Sequence, residues 1–333
     1  MRSADLFLTA VVSFFCTAGG LTAAAGAIAN APAPIGDAAA GPARVGHGRE
    51  IGAATVGPRA VGLIASRTFG GAILKDGGTY PFAVLVDEPA TYDGFEVPGP
   101  HWRIEGVRLT GGLDVYARLP VVIRGSAVRP ERDALTAIHM RPVAGPLYLL
   151  GSEAGGGDGA RTGVAVLLRS PGAVIWRSHI SETLDGLRLT ASGHRVIESL
   201  IDRLVTRPGD HNDGIQTSPQ ARDIAIERSR IENRNPQTSC ILIRGGAITV
   251  RDNHLSGGGW VIYGGAEGNG HGGPSSDHLA VTGNEFGTGL FPRSGRFGPI
   301  AYWSGEHGNV WSGNRYEDGT EIAAPRTGTS ATR

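Results

Sequence analysis

The chain has 333 residues, 53 of them glycine, and carries 31 basic and 31 acidic side chains for a formal net charge of zero. That balance excludes the basic excess expected of a protein that binds nucleic acid or an anionic membrane. Lys75 is the only lysine, so a cationic grip on a carboxylate falls mainly to arginines, whose planar guanidinium groups stay charged.

Residues 1–31 read as an export signal, with Arg2 as the basic start and Leu6 to Phe15 as the apolar run. Small residues follow, ending at Ala25-Gly26-Ala27 or Ala29-Asn30-Ala31. The run is too short and too rich in Gly and Ala for a membrane span, so a secreted or periplasmic protein is expected. Cys16 lies within the signal, leaving Cys240 alone and an intrachain disulfide impossible. Ile241 and Ile243 beside it predict a small buried filler, not a nucleophile. Residues 32–60, rich in Ala, Gly and Pro, read as a flexible lead-in. Residues 61–318 read as one domain without a linker, and residues 319–333 as a polar tail.

The domain repeats itself. An apolar-x-x-Ser/Asn-x-apolar pattern recurs on strand-like runs, with its polar member at Ser126, Ser178, Ser199, Ser229, Asn253, Asn284 and Asn314. A variant with Val107 in the polar place precedes these, and a weaker copy centres on Ser152. Successive copies lie 19 to 31 residues apart with no helical period between them, which predicts an all-β, parallel β-solenoid. Each turn stacks on the next about 4.8 Å away, and like positions fall into files. A file of Ser and Asn is tolerated inside because each member hydrogen-bonds to the next turn. Asp-Gly followed by an apolar residue recurs at Asp93, Asp185 and Asp213, and reads as a second file of equivalent corners.

Residues roughly 90–318 resemble the pectate-lyase-like right-handed parallel β-helix superfamily, in particular its secreted bacterial β-helix repeat proteins. The likeness rests on His211, Asp213, Gly214, Ile215 and Gln216, on the strands DIAIERSRIEN and ITVRDNHLSGGG, and on the closing GNVWSGN. It implies right-handed coiling, a single helix of about eight to ten coils, and a groove along one outer face for polysaccharides, often acidic ones. Lyases, hydrolases, epimerases and esterases share that fold, so the fold does not choose the chemistry. The Asp-Asp pair and Arg-x-Lys of the pectin-hydrolysing members and the Asp-Pro-His of alginate epimerase-like members are missing.

The candidate catalytic residues are His211 and Asp213, a proton-transfer group and a carboxylate at one corner. With Ile215 pointing inward, Gln216 faces out, and one turn earlier Arg188 and Asp185 hold the places equivalent to Gln216 and Asp213. Gln216, Arg188 and Arg244 are the candidate substrate grip, since arginine binds a uronate carboxylate bidentately. Stacked, Asp185 and Asp213 would have one pKa raised and serve as acid and base, or share a Ca²⁺. The plain alternative is that each Asp bonds its own turn while Gly supplies the backbone angles. Three functions compete: a lyase cleaving a uronate-containing glycan by β-elimination, a glycoside hydrolase using Asp213 and a partner carboxylate, and a non-catalytic glycan-binding envelope protein. The expected partner is a polysaccharide, with no nucleic acid and no membrane span, and the chain is expected to act as a monomer.

Overall fold

A computed structural model describes residues 43–45, 49–157, 159–205, 209–264 and 276–324. The proposed signal, the end of the tail and the glycine-rich stretch around His271 lie outside these residues. The chain passes again and again through three sheets in the same order. Asp185–Leu189 lies in the first sheet, Arg195–Ile197 in the second and Leu200–Asp202 in the third; Ile215–Thr217 then returns to the first. Among the described residues the sheets hold nine, ten and ten strands, paired parallel except at one edge, where Val84–Val86 runs antiparallel to His101–Glu105. This is the right-handed parallel β-helix that the repeat and its family resemblance predict. Aliphatic side chains from all three sheets, among them Ile138, Leu187, Ile215, Ile226 and Leu255, are fully buried in one continuous core.

The Ser/Asn file is the seam between the second and third sheets. The backbone N–H of Val107 donates to Ser126 Oγ at 3.2 Å, and the N–H groups of Ser126, Ser152 and Ser178 each donate to the hydroxyl one coil on, also at 3.2 Å. Ser199 N donates to Ser229 Oγ at 3.1 Å, and Ser229 N to Asn253 Oδ1 at 2.8 Å. Asn253 N and Asn284 N each donate at 3.0 Å to the amide oxygen one coil on, Asn314 being the last acceptor. The residue before each member turns the corner with positive φ, from Gly125 (54°) to Arg177 (47°) and Asp252 (56°). Val107 fits at the head of this file because it needs only its N–H.

Residues 51–66 run back along this seam. Ile51 and Val56 pack on Leu200, Gly57 N donates to Arg177 O at 2.8 Å, and Ser66 N donates to Gly106 O at 3.1 Å. A Cβ at Gly125 would sit 2.4 Å from Leu63 Cδ1, and one at Gly151 2.4 Å from Val61 Cγ1. Glycine is therefore needed at these two corners, where Leu63 and Val61 lie over the backbone, whereas Arg177 and Glu198 hold the same conformation at theirs. Within the stretch read as a lead-in, Ala43–Val45 also pairs antiparallel with Arg49–Ile51. At the other end, Trp311 Nε1 donates to Ile322 O at 2.7 Å, and Glu321 bridges back to Arg315.

Asp93 is not a corner of the solenoid. Asp93 and Gly94, with φ of 51° and 89°, form the two-residue turn of a hairpin between Ala90–Tyr92 and Phe95–Val97. Only Asp185 and Asp213 belong to one file.

Candidate functional site

The outer face of the first sheet carries one residue per coil in each file. Asp114, His139, Leu167, Arg188, Gln216 and Leu242 are successive register partners along it. Arg188 and Gln216 are thus direct neighbours on adjacent strands, about 4.8 Å apart.

Beside them lie the two aspartates. A Cβ at Gly186 would come within 2.9 Å of Ile201 Cγ2, and one at Gly214 within 2.7 Å of Ile231 Cγ2, so both glycines face the core. The preceding aspartates turn instead to the outer-face side of the corner. There Arg188, exposed on that face, sets its Nε and Nη2 each 2.6 Å from Asp185 Oδ2. Asp185 Oδ1 accepts the backbone N–H of Asp213 at 2.9 Å. Asp213 Oδ1 in turn accepts Ser239 N at 3.0 Å and Ser239 Oγ at 2.6 Å. Each side chain thus ties its corner to the next coil, and Ser239 ends the file.

Both carboxyls are buried, Asp185 at 2 % and Asp213 at 7 % relative exposure. Burial raises the pKa of Asp185 despite Arg188. Burial pushes Asp213 up to about 7; the Ser239 hydrogen bond opposes this, and the charge of Asp185 adds to it. Asp213 therefore carries its proton in a range where an ordinary carboxyl has lost it. Tyr263, two coils on, is pushed up to about 12 by burial, with Tyr302 and Asp213 adding to the shift. Its ring leans on that of Tyr302, the centroids 5.9 Å apart.

The Asp213 corner is braced by a buried amide network that the sequence did not single out. Asn212 Nδ2 donates to Val205 O at 3.1 Å, and Asn212 Oδ1 accepts from Asn235 Nδ2 at 2.5 Å and Thr238 Oγ1 at 3.1 Å. Asn233 Nδ2 donates to the carbonyls of Asn212 and Ser239, both at 2.8 Å. The available signal was the density of Asn and Thr between Asn233 and Ser239, and Ser239 stands as far before Ile241 as Asp213 does before Ile215.

The remaining residues named from the sequence fall as follows. His211 is exposed and separated from Asp213 by the buried Asn212, at the entrance to the corner. Gln216 is half-buried on the outer face. Arg244 lies two coils from Arg188 in the next outward file; its N–H donates to Thr217 Oγ1 at 2.7 Å, and its buried Nε has no partner among the described residues. Cys240 is fully buried and its thiol pKa is raised by burial, as its apolar neighbours predict. The aspartate pair does not suit Ca²⁺, which takes about six to eight oxygen ligands. Three of its four carboxylate oxygens already accept protein hydrogen bonds, and a guanidinium covers one of them. No group of three or more His, Cys, Asp or Glu residues able to hold a metal occurs among the described residues.

No family model matches the sequence, and no curated protein matches it. Among solved structures the chain is similar to a double mutant of the periplasmic alginate epimerase AlgG, with a TM-score of 0.45 and 15% identity over 63% of this chain and 51% of that one. The chain thus spans about half the length of that protein. Among the described residues no helix is long and apolar enough to cross a membrane.

Proposed function

We propose that the outer face around Arg188 and Asp213 is the active site of an exported polysaccharide lyase that cleaves a uronate-containing glycan by β-elimination. The observation that carries this reading is the pairing of an exposed guanidinium, fixed on buried Asp185, with a neighbouring carboxyl that keeps its proton up to about pH 7. Arg188 takes the sugar carboxylate, which stabilises the negative charge that builds up when the C5 proton leaves. Gln216, one coil on, holds a ring hydroxyl or the carboxylate's second oxygen. His211 takes the C5 proton, C4 and C5 form a double bond, and the C4–O4 bond breaks. Asp213 in its protonated form gives its proton to the departing glycosidic oxygen. Arg244 and Tyr263 lie further along the face and contact adjoining sugar residues.

The test is a panel of acidic polysaccharides incubated with the purified chain, reading the ultraviolet absorbance of unsaturated ends and total reducing ends in parallel. Unsaturated product that disappears in Arg188→Ala, Asp213→Asn and His211→Ala is the expected result. Reducing ends without the double bond would replace the lyase by a hydrolase, and neither signal from any member would refute catalysis on these substrates.

A further inference from the structure

Two coils before Arg188, on the same outer face, the sheet holds a shallow cavity of 540 Å³ that the chemistry above does not use. Its walls are mainly apolar: Ile73 and Leu135, which are 53% and 89% exposed, and Leu167, with the bare backbone of Gly71 and Gly112 between them. Four residues with polar side chains line it, Asp114, Thr136, His139 and Arg141. Arg141 is paired with Asp114, its Nε and Nη2 each 2.6 Å from a different carboxylate oxygen. His139 is not. Its Nδ1 stands 3.7 Å from Asp114 Oδ1, beyond hydrogen-bond distance, and its buried Nε2 has no partner among the described residues. Burial, with Arg141 adding, lowers its pKa, so the ring is neutral.

These features select a ligand. A neutral imidazole nitrogen is a donor in one tautomer and an acceptor in the other, and a hydroxyl can answer either. Flat aliphatic walls suit the C–H face of a sugar ring. The carboxylate of Asp114 and the guanidinium of Arg141 offset each other, so this pair gives an acidic sugar no advantage over a neutral one. The cavity and the uronate grip also lie on one file, with His139, Leu167 and Arg188 as consecutive register partners. Two strand spacings, about 10 Å, separate His139 from Arg188. That is a length of about two sugar residues.

We propose that this cavity is a subsite for an uncharged pyranose, its C–H face on Ile73, Leu135 and Leu167 and one hydroxyl on the exposed edge of the His139 ring. The substrate is then a heteropolysaccharide in which a neutral sugar lies two or three residues from the uronate that is cleaved. The position along the chain rests on the lyase reading; the binding of a neutral sugar does not.

The experiment measures binding by calorimetry to the full chain, with neutral hexose hexasaccharides (gluco-, manno- and galacto-configured) and oligouronates of the same length as probes. At least one neutral hexasaccharide binds, and its affinity falls at least tenfold in both His139→Gln and Leu135→Ser. Leu135→Ser changes an 89% exposed side chain and leaves folding intact, so it guards against loss by misfolding. Oligouronate binding is unchanged in these two variants and is lost in Arg188→Ala. Absence of binding by every neutral probe, or equal binding by wild type and both variants, overturns the subsite. Neutral-sugar binding that depends on His139, with no turnover of any acidic polysaccharide, would keep the subsite and remove the lyase.

Discussion

Replacing Asp213 by Asn tests the electrostatic state of the site directly. The substitution keeps an oxygen where Ser239 N and Oγ donate, at 3.0 and 2.6 Å, and removes only the titration. The folded-state pKa of Asp213 is raised from 3.8 to about 7, so between these values the folded chain holds a proton that the unfolded chain has released. The stability this confers is present at acid pH and is lost as pH rises through about 7. Three pH units at about 1.4 kcal/mol each set a ceiling of about 4 kcal/mol. His194, whose pKa burial pushes down to about 4, acts in the opposite sense and costs stability as pH falls below about 6.5. It is present in both proteins and cancels in their difference. Urea midpoints of wild type and Asp213→Asn, measured from about pH 4.5 to about pH 8, should therefore diverge, the variant gaining about 3 kcal/mol on wild type as pH rises. Parallel curves would mean that Asp213 is ionised throughout, and the acid role given to it would fall with them.

Four further outcomes follow from named contacts. Asn284→Ala removes donors to Val250 O and Asn314 Oδ1 and the acceptor for Asn253, leaving buried groups unpaired, and should cost about 3 kcal/mol or more by urea midpoint. Gly214→Ala would set a methyl 2.6 Å from Cys240 O and 2.7 Å from Ile231 Cγ2; a loss of about 1–3 kcal/mol, or failure to fold, is expected in the same assay. Arg188→Lys keeps the charge but gives up the fork that spans Asp185 and substrate, so kcat/KM on the responsive polysaccharide should fall at least about tenfold. Cys240, fully buried with its thiol pKa raised, should resist alkylation in the folded chain and react in urea, as read by mass spectrometry of its peptide.

Most of the fold was legible because a solenoid repeats its constraints. Each coil must satisfy the same backbone N–H at the same corner, so Ser126 through Asn314 mark that corner in the sequence. The Asp-Gly signal was ambiguous for a physical reason. A two-residue hairpin turn and a solenoid corner both favour Asp before Gly, and Asp93 answers the first need while Asp185 and Asp213 answer the second. Ser239 went unmarked because a hydroxyl ends the aspartate file without a glycine after it. His139 was hidden for another reason: it lies in the run ALTAIHM, and its meaning comes only from register with Asp114 and Leu167, each more than twenty residues away.

The same geometry explains why one cation can leave a carboxyl protonatable. Arg188 reaches back along its own strand to Asp185, so the guanidinium and that carboxylate offset each other before Asp213 is considered. Asp213, one coil on and buried, is then raised more by Asp185 than it is lowered by Arg188, and burial outweighs the Ser239 hydrogen bonds. Under the lyase reading, a uronate arriving on Arg188 adds a negative charge beside Asp213 and raises its pKa further. The proton is held more tightly when substrate is bound and is drawn off only when the glycosidic oxygen develops charge. An arginine placed on the same coil as Asp213 would defeat this arrangement. Gln216→Arg should therefore lower the pKa of Asp213, move the alkaline limb of activity to lower pH, and weaken catalysis while tightening substrate binding. A pH profile unchanged by that substitution would show that Asp213 does not set the alkaline limb.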